Sequence, residues 1–362
     1  MGTIFDYLDW RGDIPFAQVP LNPVDALILS TLAYVHFQDL VPQRPGPGVP
    51  LAQAAQAFLS LPESSTEDRV RCDNDRKLLR ALMDAPRFSG LTLTFHQDIF
   101  SPQRETQFAA LAIRVSQAET FLAFRGTDST LVGWKEDFNM SFLDTVPAQQ
   151  AALHYLTAWG PHSPGPVILG GHSKGGNLAV YAAALASPTV RDRVKAVYNN
   201  DGPGFTKKVL TAPGYLELIP RIHSFVPQSS VVGMLLEHED PYTVIKSRQL
   251  GIFQHDPYSW EVQGGGFLVV DQVTQGSRKL DQTVKTWLDA LTPTDREVFL
   301  DGLYQALAGT QARSLDDLAQ PKNLYTVFQG LTRLDEGTRT SIARTLGLLA
   351  KSAAGVLLDD DS

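Results

Sequence analysis

V-I-L-G-G-H-S-K-G-G-N-L-A-V-Y-A-A, Val167 to Ala183, is the stretch whose reading decides the fold. Val167, Ile168 and Leu169 are the short apolar run of a buried strand. Gly170 and Gly171 end it, and Leu178, Ala179, Tyr181 and Ala182 then recur at helical spacing. The turn between them, Gly171 to Gly175, matches the G-x-S-x-G pattern of a nucleophile elbow. A serine on so sharp a turn has a strained backbone, and glycines beside it let neighbouring segments pass close by. Its hydroxyl is then exposed at the sheet edge, beside a helix N-terminus whose dipole favours negative charge. A bare G-x-S-x-G is also met in ordinary glycine-rich turns. Here the strand before it and the helix after it make Ser173 the candidate nucleophile.

Outward from the elbow, Thr120–Phe124 and Gln107–Val115 read as strands on the N-terminal side, preceded by the alternating L-T-L-T-F from Leu91. Before them, Asn22-Pro23 caps a helix expected to run through Leu40, and helices are expected at Leu51–Leu59 and Glu67–Asp84. Asp6 to Gln18 is read as an arm packed on the core. Leu131 to Phe142 is read as a short helix and loop, and Pro147 to Trp159 as a helix. On the C-terminal side Val194–Tyr198, Arg221–Val226 and Tyr242–Ser247 read as strands, with Phe267–Val270 as an edge strand. Helices are expected at Leu280–Leu291, Thr294–Leu307, Leu315–Leu318, Leu324–Leu331 and Asp335–Leu357, before a solvated Asp359-Asp360-Asp361 tail. Strands alternating with helices give an α/β fold with a doubly wound sheet. The expected organisation is a domain over residues 1–275 with an N-terminal helical segment, and a C-terminal helical extension over 276–362.

The totals narrow the function. The formal net charge is −8, which argues against a nucleic-acid or anionic-membrane surface. Cys72 is the single cysteine, so no internal disulfide and no cysteine metal site can form. No run of about 18 apolar residues is present, so no membrane span is expected. The start, M-G-T-I-F-D-Y-L-D-W, is acidic and interrupted, unlike a signal peptide, and a cytoplasmic location is the expectation. No metal and no organic cofactor is implied.

A neutral serine is a poor nucleophile and needs a base, a group that orients the base, and donors for the oxyanion. Of the histidines after Ser173, His223 lies inside a strand, whereas His238 and His255 lie in loops. His255, in F-Q-H-D-P-Y-S-W beyond the last strong strand, is the favoured base, with His238 as the alternative. For the acid, Asp201 ends the strand after the elbow helix, in N-N-D-G-P-G-F. Glu237 follows the next strand, in L-L-E-H-E-D. Asp201 is favoured narrowly and Glu237 stays open, since each could be a plain turn carboxylate. Asp256 adjoins His255 and points away from it. The oxyanion donors are expected to be the amide of Lys174 and Thr127 of the F-R-G-T loop. The Lys174 side chain is read as solvated or paired.

These residues resemble a family. F-R-G-T-D, G-W-K-E-D and G-H-S-K-G-G-N-L-A look like the lipase class 3 pattern. The wider set, with D-G-P-G-F, P-Q-S-S-V-V-G-M-L-L-E-H and Q-H-D-P-Y-S-W, is similar to a bacterial lipase-like family of unknown function within the α/β-hydrolase superfamily. The resemblance covers Asp6 to about Trp260. It implies an α/β-hydrolase-type sheet, Ser173 as nucleophile and Thr127 with Lys174 as oxyanion donors, with Trp134 and Asp137 at the lipase Trp and Asp positions. One departure concerns the acid: at the turn after the later strand, where class 3 lipases carry it, this chain has Ser230. The implied activity is cleavage of a carboxylic ester, of a small-molecule or lipid-like acyl substrate, through an acyl-enzyme on Ser173. The same triad would serve a thioesterase, amidase or acyltransferase, and a hydrolase fold acting through its C-terminal helices without catalysis is the third reading. Val231 to Leu236 and Tyr258–Trp260 would suit an acyl chain, or the core.

Overall fold

Asn22 begins the helix that underlies the sheet. Its side chain accepts from the amides of Val24 and Asp25, and Pro23 fills the first helical position. A computed structural model describes residues 2–128, 131–140, 143–162, 165–308, 330–332 and 334–358. In chain order it opens with α1 (Ile4–Arg11), α2 (Pro23–Leu32), β1 (Val49–Pro50), α3 (Leu51–Leu59), α4 (Asp73–Asp84) and α5 (Pro86–Ser89). The meander β2 (Thr92–Ser101), β3 (Thr106–Arg114) and β4 (Thr120–Phe124) follows. Then come α6 (Leu131–Asn139), α7 (Pro147–Trp159), β5 (Val167–His172), α8 (Lys174–Leu185), α9 (Pro188–Arg191) and β6 (Val194–Asn200). After α10 (Lys207–Leu210) and α11 (Pro213–Leu218) the sheet closes with β7 (Ile222–Pro227) and β8 (Tyr242–Ile245).

The eight strands lie side by side in chain order, antiparallel from β1 to β4 and parallel from β4 to β8. Side chains on successive strand residues face opposite ways, and β3 shows the consequence. Leu111 and Ile113 join a core with α1 to α4, while Ala110 and Ala112 join another with α7, α8 and α11. The parallel crossovers therefore cover one face and the N-terminal helices the other. This is the mostly parallel, helix-flanked α/β sheet expected from the alternating pattern.

Several boundaries differ from the sequence reading. The α2 helix stops at Leu32, eight residues short of Leu40, because the His36 amide bonds to the Arg69 carbonyl. That same carbonyl interrupts the helix expected over Glu67–Asp84. The chain makes a single 3₁₀ turn at Glu67–Arg69 and restarts at Asp73, with the Asp75 carboxylate accepting from the Arg71 and Cys72 amides. The segment Phe267–Val270 runs antiparallel beside the outer strand β8, with Val269 bridged to Ile245 and the Val270 amide donating to the Val244 carbonyl, and only its first residue also belongs to a separate two-stranded sheet, β9 (Val262–Gln263) with β10 (Gly266–Phe267).

The chain ends in α12 (Gln275–Asp289), α13 (Pro293–Ala308) and α14 (Glu336–Leu358). Trp287, Leu291, Phe299, Leu300 and Ile342 give these helices a cluster of their own. The expected helix Leu315–Leu318, most of Leu324–Leu331 and the Asp359–Asp361 tail lie outside the described residues. Among the described residues no helix is long and apolar enough to cross a membrane.

Arg87 ties the N-terminal arm to this frame. Fully buried, it donates to Asp25 through Nε (2.8 Å) and Nη2 (2.6 Å), and to the carbonyls of Ile14 and Val19. Tyr7 adds its hydroxyl to the same carboxylate at 2.8 Å. Removing one partner of a buried pair strands the other charge. Arg87→Ala is therefore expected to cost about 3–5 kcal/mol, measured by urea unfolding of the full chain. A loss below about 1 kcal/mol, the range of an exposed pair, would contradict the buried geometry.

Candidate active site

Ser173 lies between β5 and α8 with φ 59° and ψ −136°, a left-handed conformation that costs an L-residue roughly 1–3 kcal/mol. The flanking glycines permit it. A Cβ on Gly171 would stand 2.1 Å from the carbonyl carbon of Gly175, and one on Gly175 would stand 2.1 Å from the Phe124 carbonyl oxygen. The Ser173 amide donates to the Asn200 carbonyl at 2.9 Å, which ties the elbow to the end of β6. Ser173 is 9 % exposed.

One residue past β6, Asp201 also has a positive φ, 54°. Its buried carboxylate meets His255: Nδ1 of the imidazole is 2.6 Å from Oδ2. The other oxygen accepts from the Ser230 hydroxyl at 2.5 Å. Gly233 makes room, since a Cβ there would lie 2.2 Å from Asp201 Oδ1. In the neutral ring, an Nδ1–H donating to Asp201 puts the acceptor of His255 at Nε2. Glu237 and His238 belong to the loop before β8. Glu237 is exposed and its backbone bridges to Phe205, while His238 sits edge-on to Tyr242. Among the described residues neither makes a hydrogen bond to Ser173, Asp201 or His255. His223 is exposed on β7, with its ring against Tyr198.

His172 has no sequence signature beyond its place before Ser173, and the geometry around it is specific. Its Nδ1 lies 2.9 Å from the Tyr34 hydroxyl and its Nε2 lies 2.7 Å from the His255 carbonyl. The carbonyl can only accept, so Nε2 carries the proton and Nδ1 accepts from Tyr34. Burial, with His255 and Arg71 adding repulsion, pushes the His172 pKa well below the ordinary histidine value. The neutral ring lies 4.5 Å from that of His255, centroid to centroid. Thus the residue before Ser173 holds the main chain of His255. Among the described residues no hydrogen bond joins the Ser173 hydroxyl to His255, a contact that in unliganded sites often tightens only around substrate.

The far side of the elbow is built on Lys174. Its side chain is buried, and Nζ donates to Glu136 (3.0 Å) and to both oxygens of Gln107 (3.1 Å each). Glu136, on α6, also accepts from the amides of Gln107 and Ala148. This pairing fastens α6 to the sheet edge. From α6, Asp137 accepts from the Thr127 hydroxyl at 2.5 Å. Burial raises the Asp137 pKa, against the pull of Lys174 and Thr127. The Thr127 hydroxyl proton is thus committed to Asp137. The Trp134 side chain lies outside the described residues. Tyr258 and Trp260 are core residues, and Tyr258 donates to Asp75 at 2.6 Å. Among the described residues no cluster of three or more His, Cys, Asp or Glu is placed to hold a metal ion.

Residues 82–305 match the family described as Mbeg1-like. No curated protein matches the chain. Among solved structures, similarity extends to a mutant form of MDLA from Penicillium cyclopium, at 15% identity over 68% of this chain and 83% of that one, with a TM-score of 0.40. A lipase from Rhizopus microsporus var. chinensis is 13% identical over 60% of this chain and 91% of that one, with a TM-score of 0.33. The lipase–propeptide complex of Rhizomucor miehei is 14% identical over 43% of this chain and 57% of that one, with a TM-score of 0.30.

The neutral state of His172 has a measurable cost in acid. An unfolded histidine takes up a proton near pH ~6.5, whereas folded His172 resists it. The unfolded chain then binds more protons, so stability falls as pH drops below ~6.5 by up to about 1.4 kcal/mol per pH unit for this group. Gln can donate and accept at the same two places without titrating. Urea unfolding between pH 7 and pH 5 should show a shallower acid slope for His172→Gln than for the wild type, and an unchanged slope would contradict the assignment.

Proposed function

The chain belongs to the Mbeg1-like family, and from the arrangement of Ser173, His255 and Asp201 we propose that it is a serine hydrolase that cleaves a carboxylic ester through an acyl-enzyme. The observation that carries this reading is the His255–Asp201 pair, set at the same sheet edge as a strained serine.

In this mechanism Ser173 Oγ attacks the ester carbonyl carbon as Nε2 of His255 takes its proton. Asp201 holds Nδ1–H and stabilises the imidazolium. Negative charge that develops on the carbonyl oxygen is met by the amides of Thr127 and Lys174, at the N-terminus of α8. The carbon–oxygen bond to the alcohol then breaks, and that alcohol leaves with the proton from Nε2. Water repeats the sequence on the acyl-enzyme, giving its proton to His255 and releasing the acid and free Ser173. Support for the acid role of Asp201 comes from its two hydrogen bonds, which fix both carboxylate oxygens.

A fluorophosphonate probe followed by peptide mapping should label Ser173, and Ser173→Ala should abolish labelling together with ester hydrolysis. Absence of labelling in the wild type would favour a hydrolase fold without catalysis. For the acid, Asp201→Asn should lower kcat by up to ~10⁴-fold, because an amide holds the wrong imidazole tautomer. Glu237→Gln should stay within a few-fold of wild type on p-nitrophenyl esters. The reverse ranking would return the acid to Glu237.

A further inference from the structure

Tyr34, two residues past the end of α2, is buried and takes no direct part in acyl transfer. Its hydroxyl nevertheless reaches both sides of the site. Towards the base it lies 2.9 Å from Nδ1 of His172, the residue before the nucleophile. Towards the oxyanion donors it packs against the loop that carries Thr127. A Cβ on Gly126 would lie 2.2 Å from the Tyr34 oxygen and 3.1 Å from Cβ of Ser173.

A phenol has one proton to give. Two acceptors are within reach, His172 Nδ1 at 2.9 Å and the His172 carbonyl at 3.4 Å, and the shorter contact takes it. Burial raises the Tyr34 pKa, so the hydroxyl keeps that proton at neutral pH. The Arg71 guanidinium lies over the face of the ring, 4.4 Å from its centroid, and opposes a positive charge on His172.

What this proton decides is the tautomer of His172. A neutral imidazole has one donor and one acceptor. With Tyr34 donating to Nδ1, the ring's own proton stands on Nε2 and is donated to the His255 carbonyl, 2.7 Å away. In the other tautomer the Nε2 lone pair would face that carbonyl, and the contact would become repulsive. A cationic His172 would keep the donor, but at a cost to the reaction. Its ring is 4.5 Å from that of His255, which must itself become positive as it takes the Ser173 proton. Only the neutral Nε2–H form holds the base and leaves its charge unopposed. The preceding carbonyl, that of Gln254, accepts from the Trp260 indole at 2.9 Å. An indole proton has one place to be, whereas the His172 proton has two and needs Tyr34 to fix it.

We propose that Tyr34 is a positioning residue for the hydrolysis: by donating to His172 it fixes that ring as a neutral donor to the His255 main chain, and so holds the base in place. The effect on rate rests on the hydrolase reading above, whereas the tautomer of His172 is a property of the folded chain alone.

Two measurements on the full chain test this. In nitrogen NMR spectra of labelled histidine at neutral pH, wild-type His172 should show a protonated Nε2 and a bare Nδ1. Tyr34→Phe, which removes only the hydroxyl, should bring in the Nδ1–H form or a ring that titrates. On p-nitrophenyl esters the same variant should lower kcat roughly tenfold to a hundredfold, the cost of an unpaired buried acceptor, with KM within about twofold. A double-mutant cycle separates positioning from packing. The amide of His172→Gln donates without choosing a tautomer, so Tyr34→Phe should lose most of its effect in that background. His172→Gln should also retain more of the rate than His172→Leu. A wild-type His172 with its proton on Nδ1, or a Tyr34→Phe protein that matches the wild type in spectra and kcat, overturns the proposal. So does an equal loss in both backgrounds, which marks Tyr34 as a packing residue. Circular dichroism checks the fold of Tyr34→Phe, and should it fail, equal losses in His172→Gln and His172→Leu would overturn the proposal instead. Fluorophosphonate labelling of the wild type separates the two ideas. The expected spectra without labelling would sink the hydrolase reading, and labelling with an unmoved Tyr34→Phe rate would sink the role of Tyr34 alone.

Discussion

The site depends on a backbone that is costly to hold. Ser173 at φ 59° and ψ −136° would relax if its surroundings allowed it. Three restraints prevent this: close contact of glycines on both sides, the bond from its amide to Asn200, and the buried Lys174–Glu136 pair one residue on. The restraints come from different strands and from α6, so the strain is distributed over the sheet edge. A lysine after the nucleophile, which in sequence reads as solvated or paired, is paired and buried, one of the deepest fastenings in the molecule.

Much of this frame was legible because it rests on local periodicity. Thr120–Phe124, Leu51–Leu59 and Pro147–Trp159 can be bounded from their apolar spacing and caps, and the elbow from its glycines. Boundaries set by distant partners were not legible. The end of α2 depends on an amide at His36 meeting a carbonyl at Arg69, and no spacing rule reaches that far. The candidate site divides the same way. Ser173 and the loop position of His255 follow from pattern. The proximity of Asp201 to His255, 54 residues apart, exists only once β6 and the last loop share an edge. The support from Ser230 and the strut from His172 use residues with no signature of their own beyond nearness to a motif.

The departure from the class 3 lipase pattern also becomes intelligible. Where that resemblance expects a carboxylate, Ser230 stands, and its hydroxyl reaches the carboxylate of Asp201 from the neighbouring strand end. Acid and hydroxyl thus occupy adjacent strand ends. Gly233 is the third member of this arrangement, because any side chain there would collide with Asp201.

The Ser230 turn is also a junction between two parts of the chain. Ser277, in the first turn of α12, donates its hydroxyl to the Ser230 carbonyl, and Thr274 donates its amide to Gln228. On the opposite side of the elbow, Asp301 of α13 pairs with Lys135 of α6 at 2.6 Å. The C-terminal helices therefore grip the neighbourhood of Ser173 at two separate points, like a splint laid across a joint. The family match ends at residue 305, beyond both Ser277 and Asp301. Whatever else those helices do, a chain cut ahead of Gln275 would lose a brace behind the Asp201 carboxylate and another on α6, so the core and its extension share one mechanical unit.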